Sequence, residues 1–94
     1  MMFFDFDWDA TKARANLRKH EVSFRLATSV FTDPLALTIF DEERWVTLGL
    51  AQNGQVLVVV RTSEEVSTTE LHIRIISARR AEQAEVRDYE QVPQ

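Results

Sequence analysis

The sequence predicts an α+β domain: two N-terminal helices packed on a four-stranded antiparallel sheet, with a C-terminal helix closing the chain. Three observations lead there. Apolar residues recur at helical spacing over the first third of the chain. After them, β-branched runs follow one another with turn residues between, the pattern of an antiparallel meander and not of βαβ units. Between two of those runs lies Asn53-Gly54, a strong short-range hairpin signal.

The first helix is predicted over Ala10–His20. Asp9 serves as N-cap, because its carboxylate can accept from unpaired backbone N–H groups. Ala10, Ala13, Leu17 and His20 fall on one helical face, and Lys12, Arg14, Arg18 and Lys19 lie elsewhere around it. Ser23 caps a second helix over Phe24–Phe31, with Phe24, Ala27, Val30 and Phe31 as its buried stripe. Asp33-Pro34 stops it, since the residue before proline avoids the α region.

The strands follow. Leu35–Phe40 and Arg44–Ala51 flank a tight turn at Asp41-Glu42. Gln55–Thr62 follows Asn53-Gly54, with Val58, Val59 and Val60 at its centre. Ser63–Thr69 reads as a polar loop and Leu71–Ile76 as the fourth strand. Ser77 caps the last helix, about Ala78–Gln91, and Pro93 lies beyond it.

With 94 residues, one small domain is expected over 1–94. There is no cysteine, which excludes disulfides and thiol chemistry. The N-terminus lacks the basic lead of a secretory signal. The apolar runs fall far short of the roughly 20 residues of a membrane helix. A cytoplasmic protein without membrane contact is the expectation. Gly49 and Gly54 are the only glycines, so a glycine-rich phosphate loop is excluded. Two distant histidines without cysteine give no zinc spacing, and neither a metal nor another cofactor is expected.

The net charge is −4, which alone argues against a general nucleic-acid binder. Its distribution says more. Residues 12 to 25 hold Lys12, Arg14, Arg18, Lys19 and Arg25 against Glu21 alone, whereas the tail after Arg80 is acidic.

Ordered motifs from Phe6 to Tyr89 carry a resemblance. They are Trp8-Asp9-Ala10-Thr11-Lys12, Asn16-Leu17-Arg18-Lys19-His20, Val22-Ser23-Phe24 and Val30-Phe31-Thr32-Asp33-Pro34. Further on come Glu42-Glu43-Arg44-Trp45, the strand with Gly49, Arg74-Ile75-Ile76-Ser77-Ala78-Arg79, and then Glu85 and Tyr89. In order and spacing the chain resembles the BrnT family of bacterial type II toxins. The resemblance implies a RelE-like toxin fold and a metal-independent ribonuclease that arrests translation. It also implies a ribbon-helix-helix antitoxin, whose complex with the toxin binds operator DNA, and a homodimer or a heterotetramer with that antitoxin. Three positions depart from the pattern. Glu21 stands where glycine is usual, Gln55 where a basic residue is common, and Arg61 near a position often held by an aromatic.

Cleaving RNA without a metal needs a base for the ribose 2′-OH, cations for the charge growing on phosphorus and an acid for the leaving 5′-oxygen. The product is a 2′,3′-cyclic phosphate. His20 is the natural acid/base, since histidine ordinarily titrates near pH ~6.5. On its stripe with Ala13 and Leu17 it also reads as a packed helix-end histidine. Lys19 reads either as a phosphate holder or as a solvated lysine. Alternation places Arg44 with Val46 and Leu48, opposite Trp45 and Thr47. There it either ends a core face in a salt bridge or reaches into a site, and Glu43 is either a base or its partner. Arg74 and His72 share a strand face opposite Leu71, Ile73 and Ile75. Arg79 falls in the first turn of the last helix, where a cation is unfavourable unless an anion docks against it. The candidate catalytic set is therefore Lys19, His20, Glu43, Arg44, Arg74 and Arg79. His72 reads as merely exposed and Ser77 as a cap. Trp8 and Trp45 read as core residues before base-stacking platforms.

The leading expectation is an endoribonuclease acting on RNA. The alternative is a non-catalytic member that only binds an antitoxin as co-repressor, favoured by the acidic balance and the three departures. Inhibition of DNA gyrase ranks last, because the motifs differ.

Overall fold

The computed structural model describes residues 2–91; Pro93 lies outside them. The elements run β1 (Phe3–Asp7), α1 (Ala10–His20), α2 (Phe24–Thr28), a 3₁₀ turn (Ser29–Thr32), β2 (Leu37–Asp41), β3 (Arg44–Leu50), β4 (Val56–Glu65), β5 (Glu70–Arg80) and α3 (Gln83–Glu90). The α+β class holds. The layout differs from the expected one, because the sheet has five strands in the order β1-β5-β4-β3-β2. Nor is it wholly antiparallel: β1 pairs with β5 in parallel, Phe3 opposite Glu70 through Asp7 opposite Arg74.

Strand β1 carries a period-2 signal too short to stand out. Phe4 and Phe6 turn toward Phe31, with ring centroids 6.1 and 5.3 Å away. Asp5 and Asp7 point to the opposite face. The second helix is shorter than Phe24–Phe31. It tightens into the 3₁₀ turn after Thr28, and Phe24, Ala27 and Val30 remain its buried residues.

The β4–β5 ribbon is longer than expected at both ends. Pairing continues to Glu65 opposite Leu71, so Ser63, Glu64 and Glu65 of the expected Ser63–Thr69 loop belong to the strand. At the other end Ser77, Ala78, Arg79 and Arg80 pair with Val60, Val59, Val58 and Leu57. Ser77 is therefore a strand residue and not a helix cap. The valines of β4 offer a ladder that outweighs the helical preference of Ala-Arg-Arg-Ala. Ile76 is the extra residue of a bulge, since Ser77 faces Val60 and Ile75 faces Arg61. Helix α3 then begins at Gln83, where Glu85 accepts from the Glu82 N–H at 2.8 Å. The turn at Asn53-Gly54 forms as expected, with Gly54 at φ 88°.

One face of the sheet is covered. Leu57, Val59, Ile73, Ile75 and Ala78 meet Val22, Phe24, Ala27 and Val30 from the helical layer. Gly49 permits the close approach, as a Cβ there would lie 3.1 Å from the Val30 Cβ.

Helix α1 is fastened by a polar group. The inward residue of its face is Asn16, 7% exposed, whereas Leu17 is 51% exposed. The expected stripe is thus rotated by about one residue. Strand β1 stops pairing at Arg74, so β5 beyond it has a bare outer edge. Asn16 fills that edge: its Oδ1 accepts from Ala78 N–H at 3.1 Å, and its Nδ2 donates to Ala78 C=O at 2.8 Å. The same Nδ2 donates to Val22 C=O at 2.9 Å. Helix α1 then ends in Glu21, in the left-handed region at φ 57°. Glycine is favoured at such a position because it has no Cβ to clash.

Two outcomes follow for stability. Asn16→Leu keeps the branched outline of the side chain but orphans three buried backbone groups. It should cost at least about 2 kcal/mol in urea unfolding, and a loss below about 0.5 kcal/mol would show that water replaces the amide. Glu21→Gly relieves about 1 kcal/mol of backbone strain, partly offset by a freer unfolded chain. A melting temperature a few degrees higher is expected, and a lower one would contradict the strain.

Candidate functional site

The helical layer leaves two regions open to chemistry: the outer edge of β5 beside α1, and the second face of the sheet. At the β5 edge, Lys12, Lys19 and His20 from α1 line a shallow groove with Ile76 and Ser77. The Asn16 bonds hold α1 against Ala78, and helical spacing puts Lys12, Lys19 and His20 around Asn16 on that side. No carboxylate lines the groove. Among the described residues neither Lys12 nor Lys19 lies within ion-pair distance of an acid. Glu21 instead points to Arg80, 3.8 Å away.

Arg74 stands next along the same strand. Its Nη1 donates to Asp7 Oδ2 at 3.0 Å. Its charge also reaches Asp9, whose carboxyl is lowered chiefly by the hydrogen bond from Lys12 N–H and further by Lys12 and Arg74 charge. Lys12 and Arg74 therefore share one electrostatic neighbourhood at the start of α1.

On the second sheet face the register draws a row of charged groups. Asp41 lies opposite Arg44 on β3, and Arg74 lies between Thr62 and Asp7. Two strand spacings put Arg44 roughly 10 Å from Arg74. Arg44 shares this face with Val46, as expected, but its surroundings are Asp41, Glu42 and Glu43 at the β2–β3 turn.

Arg79 is placed differently from the expectation. It lies in β5, not in the first turn of a helix, so the argument from the helix dipole does not apply. Its guanidinium forms a two-point bond to Glu85, 2.8 and 2.9 Å. That hydrogen bond raises its pKa and lowers the Glu85 carboxyl. The pair fastens α3 to the end of β5. Lys19 and His20 are thus brought together with Lys12, while Arg74 pairs with Asp7 outside that lining, and Glu43 with Arg44, and Arg79, stand apart.

Three functional-looking groups were missed. Asn16 is the first; a poor helix former in mid-helix was the available signal. Asp33 is the second. It accepts from Leu35 N–H at 2.9 Å, from Leu50 N–H at 2.8 Å and from the Tyr89 hydroxyl at 2.6 Å. Burial pushes its carboxyl up, but these donors together bring it below its ordinary value, and the Tyr89 hydroxyl is pushed up to about 12. Asp33 so ties the 3₁₀ turn, β3 and α3 at one point.

His72 is the third, and it is not merely exposed. Its Nδ1 faces Asp5 Oδ2 at 3.1 Å and its Nε2 faces Asp7 Oδ1 at 3.3 Å. Both ring nitrogens can donate only in the protonated ring. The Asp5 hydrogen bond is the leading influence; burial opposes it, and the charges of Asp7 and Asp5 add to it. The net pKa lies above the ordinary 6.5.

Comparison with known proteins fits this architecture. Residues 8–85 match the family described as the ribonuclease toxin BrnT of type II toxin–antitoxin systems. The chain belongs to the BrnT family. The crystal structure of the Brucella abortus ribonuclease toxin BrnT superposes with a TM-score of 0.64 at 21% identity, covering 87% of this chain and 100% of that one. At that identity the likeness is one of fold. No curated sequence matches the chain. Membership of BrnT makes this a toxin of a type II system, with an antitoxin and RNA as the partners that membership implies.

The His72 bridge has a measurable consequence for this BrnT chain. A histidine raised in the folded state stabilises fully below the unfolded pKa of 6.5 and loses that contribution as pH rises through the higher folded value. The melting temperature should therefore fall as pH rises above the ordinary histidine value of 6.5, and His72→Gln should flatten the curve. An unchanged slope in that variant would place the dependence elsewhere.

Proposed function

We propose that this chain is a metal-independent endoribonuclease toxin whose chemistry sits in the groove between α1 and β5. One observation carries the reading: in a chain of net charge −4, Lys12, Lys19 and His20 line a groove without a single carboxylate. Such a groove attracts phosphate. It also lacks the carboxylates that would ligate a divalent cation.

His20 takes the proton of the ribose 2′-OH. The 2′-oxygen attacks phosphorus, the bond to the 5′-oxygen breaks, and that oxygen leaves as an alcohol after taking a proton from solvent water in the open groove. Lys19, with Lys12, stabilises the negative charge on the non-bridging oxygens. Arg74, oriented by Asp7, extends the cationic path along β5 for the neighbouring phosphate. Glu43 and Arg44, roughly two strand spacings away among acids, are assigned no step, and Arg79 is assigned to holding α3.

Translation arrest follows if the RNA is messenger RNA. A ribbon-helix-helix antitoxin, operator binding through its complex and the RelE-like kinship of the fold are part of the same proposal. No helix among the described residues is long and apolar enough to cross a membrane, in keeping with the proposed cytoplasmic site of action.

His20→Ala and Lys19→Ala should each reduce RNA cleavage in chelator about 10²-fold or more, with unchanged melting temperature. Arg44→Ala should stay within about fivefold. Cleavage undiminished in His20→Ala would remove the groove from the chemistry. No cleavage by the wild type, with antitoxin binding intact, would favour the non-catalytic alternative.

A further inference from the structure

Arg61 is the one charged side chain among the described residues that is buried, at 8% exposure. No carboxylate lies within ion-pair distance of it among those residues. What holds it is neutral. Its Nε donates to Thr47 Oγ1 at 3.3 Å, and its Nη1 donates to the Ser63 hydroxyl. The Phe31 and Trp45 rings lie 5.0 and 5.8 Å from the guanidinium carbon. Hydroxyls and ring faces orient the group and ease its burial, but they leave its charge uncancelled, which is a costly arrangement in a folded interior. Arginine stays protonated even so.

The guanidinium is not sealed in. It lines a cleft with Thr38, Trp45, Ser63, Glu65 and Leu71, on the helix-covered side of the sheet and away from Lys19 and His20. Arginine has five N–H donors in a fixed fork, and only two of its nitrogens are engaged here. Phe40, 55% exposed, packs against Trp45 with centroids 4.7 Å apart and the rings tilted by 49°, and continues the aromatic surface beside the cleft.

We propose that this cleft is a second nucleotide-binding site, in which Arg61 receives the phosphodiester of an RNA strand and Trp45 with Phe40 receives an adjoining base. The fork of a guanidinium matches two phosphate oxygens. Aromatic faces stack on bases without regard to sequence. Glu65, the carboxylate lining the cleft, disfavours a doubly charged phosphate and leaves the singly charged diester as the better guest. The inference rests on the ribonuclease reading for its choice of RNA.

The test uses the intact protein and a short 2′-O-methylated oligoribonucleotide, which binds but cannot be cleaved. Arg61→Met should weaken binding at least about tenfold and lower the salt slope of binding by about one. Arg61→Lys, which keeps the charge and loses the fork, should fall between, and it serves if the methionine variant does not fold. Trp45 fluorescence should be quenched on binding, as judged by loss of the signal in Trp45→Phe. Binding by Arg61→Met within about twofold of wild type, with the same salt slope, overturns the site. Inorganic phosphate binding as tightly as the oligonucleotide overturns the strand as its ligand. The readout is separate from cleavage. Intact cleavage with binding indifferent to Arg61 sinks only this inference, whereas Arg61-dependent binding without cleavage sinks only the catalytic reading.

Discussion

A single side-chain amide joins the helical layer to the edge of the sheet. Asn16 gives Ala78 both a donor and an acceptor, as a neighbouring strand would. Without it the outer edge of β5 beyond Arg74 would bury backbone groups with no partner, because β1 is too short to reach them. The same bonds fix which way α1 is turned. With Asn16 inward, Leu17 goes to solvent, and Lys12, Lys19 and His20 come to rest beside Ser77. The groove is a consequence of how the edge was satisfied.

Charge is distributed around that lock in an orderly way. Most acids are either engaged or far from the groove. Asp5 and Asp7 hold His72 and Arg74, Glu85 holds Arg79, and Asp33 accepts from three donors. Asp41, Glu42 and Glu43 gather at the β2–β3 turn. The net charge of −4 therefore says little about the local field at α1, where phosphate would approach. Arg61 is the exception to this pairing, a buried cation held by hydroxyls and rings.

Some of this was legible in the residues. The boundaries of α1, the cap at Asp9, the Asn53-Gly54 hairpin and the valine strand all rest on local chemistry, and local chemistry decided them. Strand β1 was not legible, because its five residues pair only with a strand more than sixty positions away. The end of β5 was misread for a related reason. Ser77-Ala78-Arg79-Arg80 has no strand preference of its own and is drawn into the sheet by Val58, Val59 and Val60. Of the candidate site, the pairing of Lys19 with His20 could be read from adjacency. The commitment of Arg79 to Glu85 depended on where α3 begins, and the inward turn of Asn16 depended on a bare strand edge that no helical periodicity reveals.

The amide of Ala78 reports on that edge directly, since its hydrogen-bond partner is a side chain of another element. If the Asn16 lock governs the assembly of α1 on β5, Ala78 N–H exchanges with solvent only through global unfolding, as slowly as the amides at the centre of β4. Exchange at the rate of a fraying strand end, with β4 still protected, would show that the lock opens independently and that the groove is not built on it.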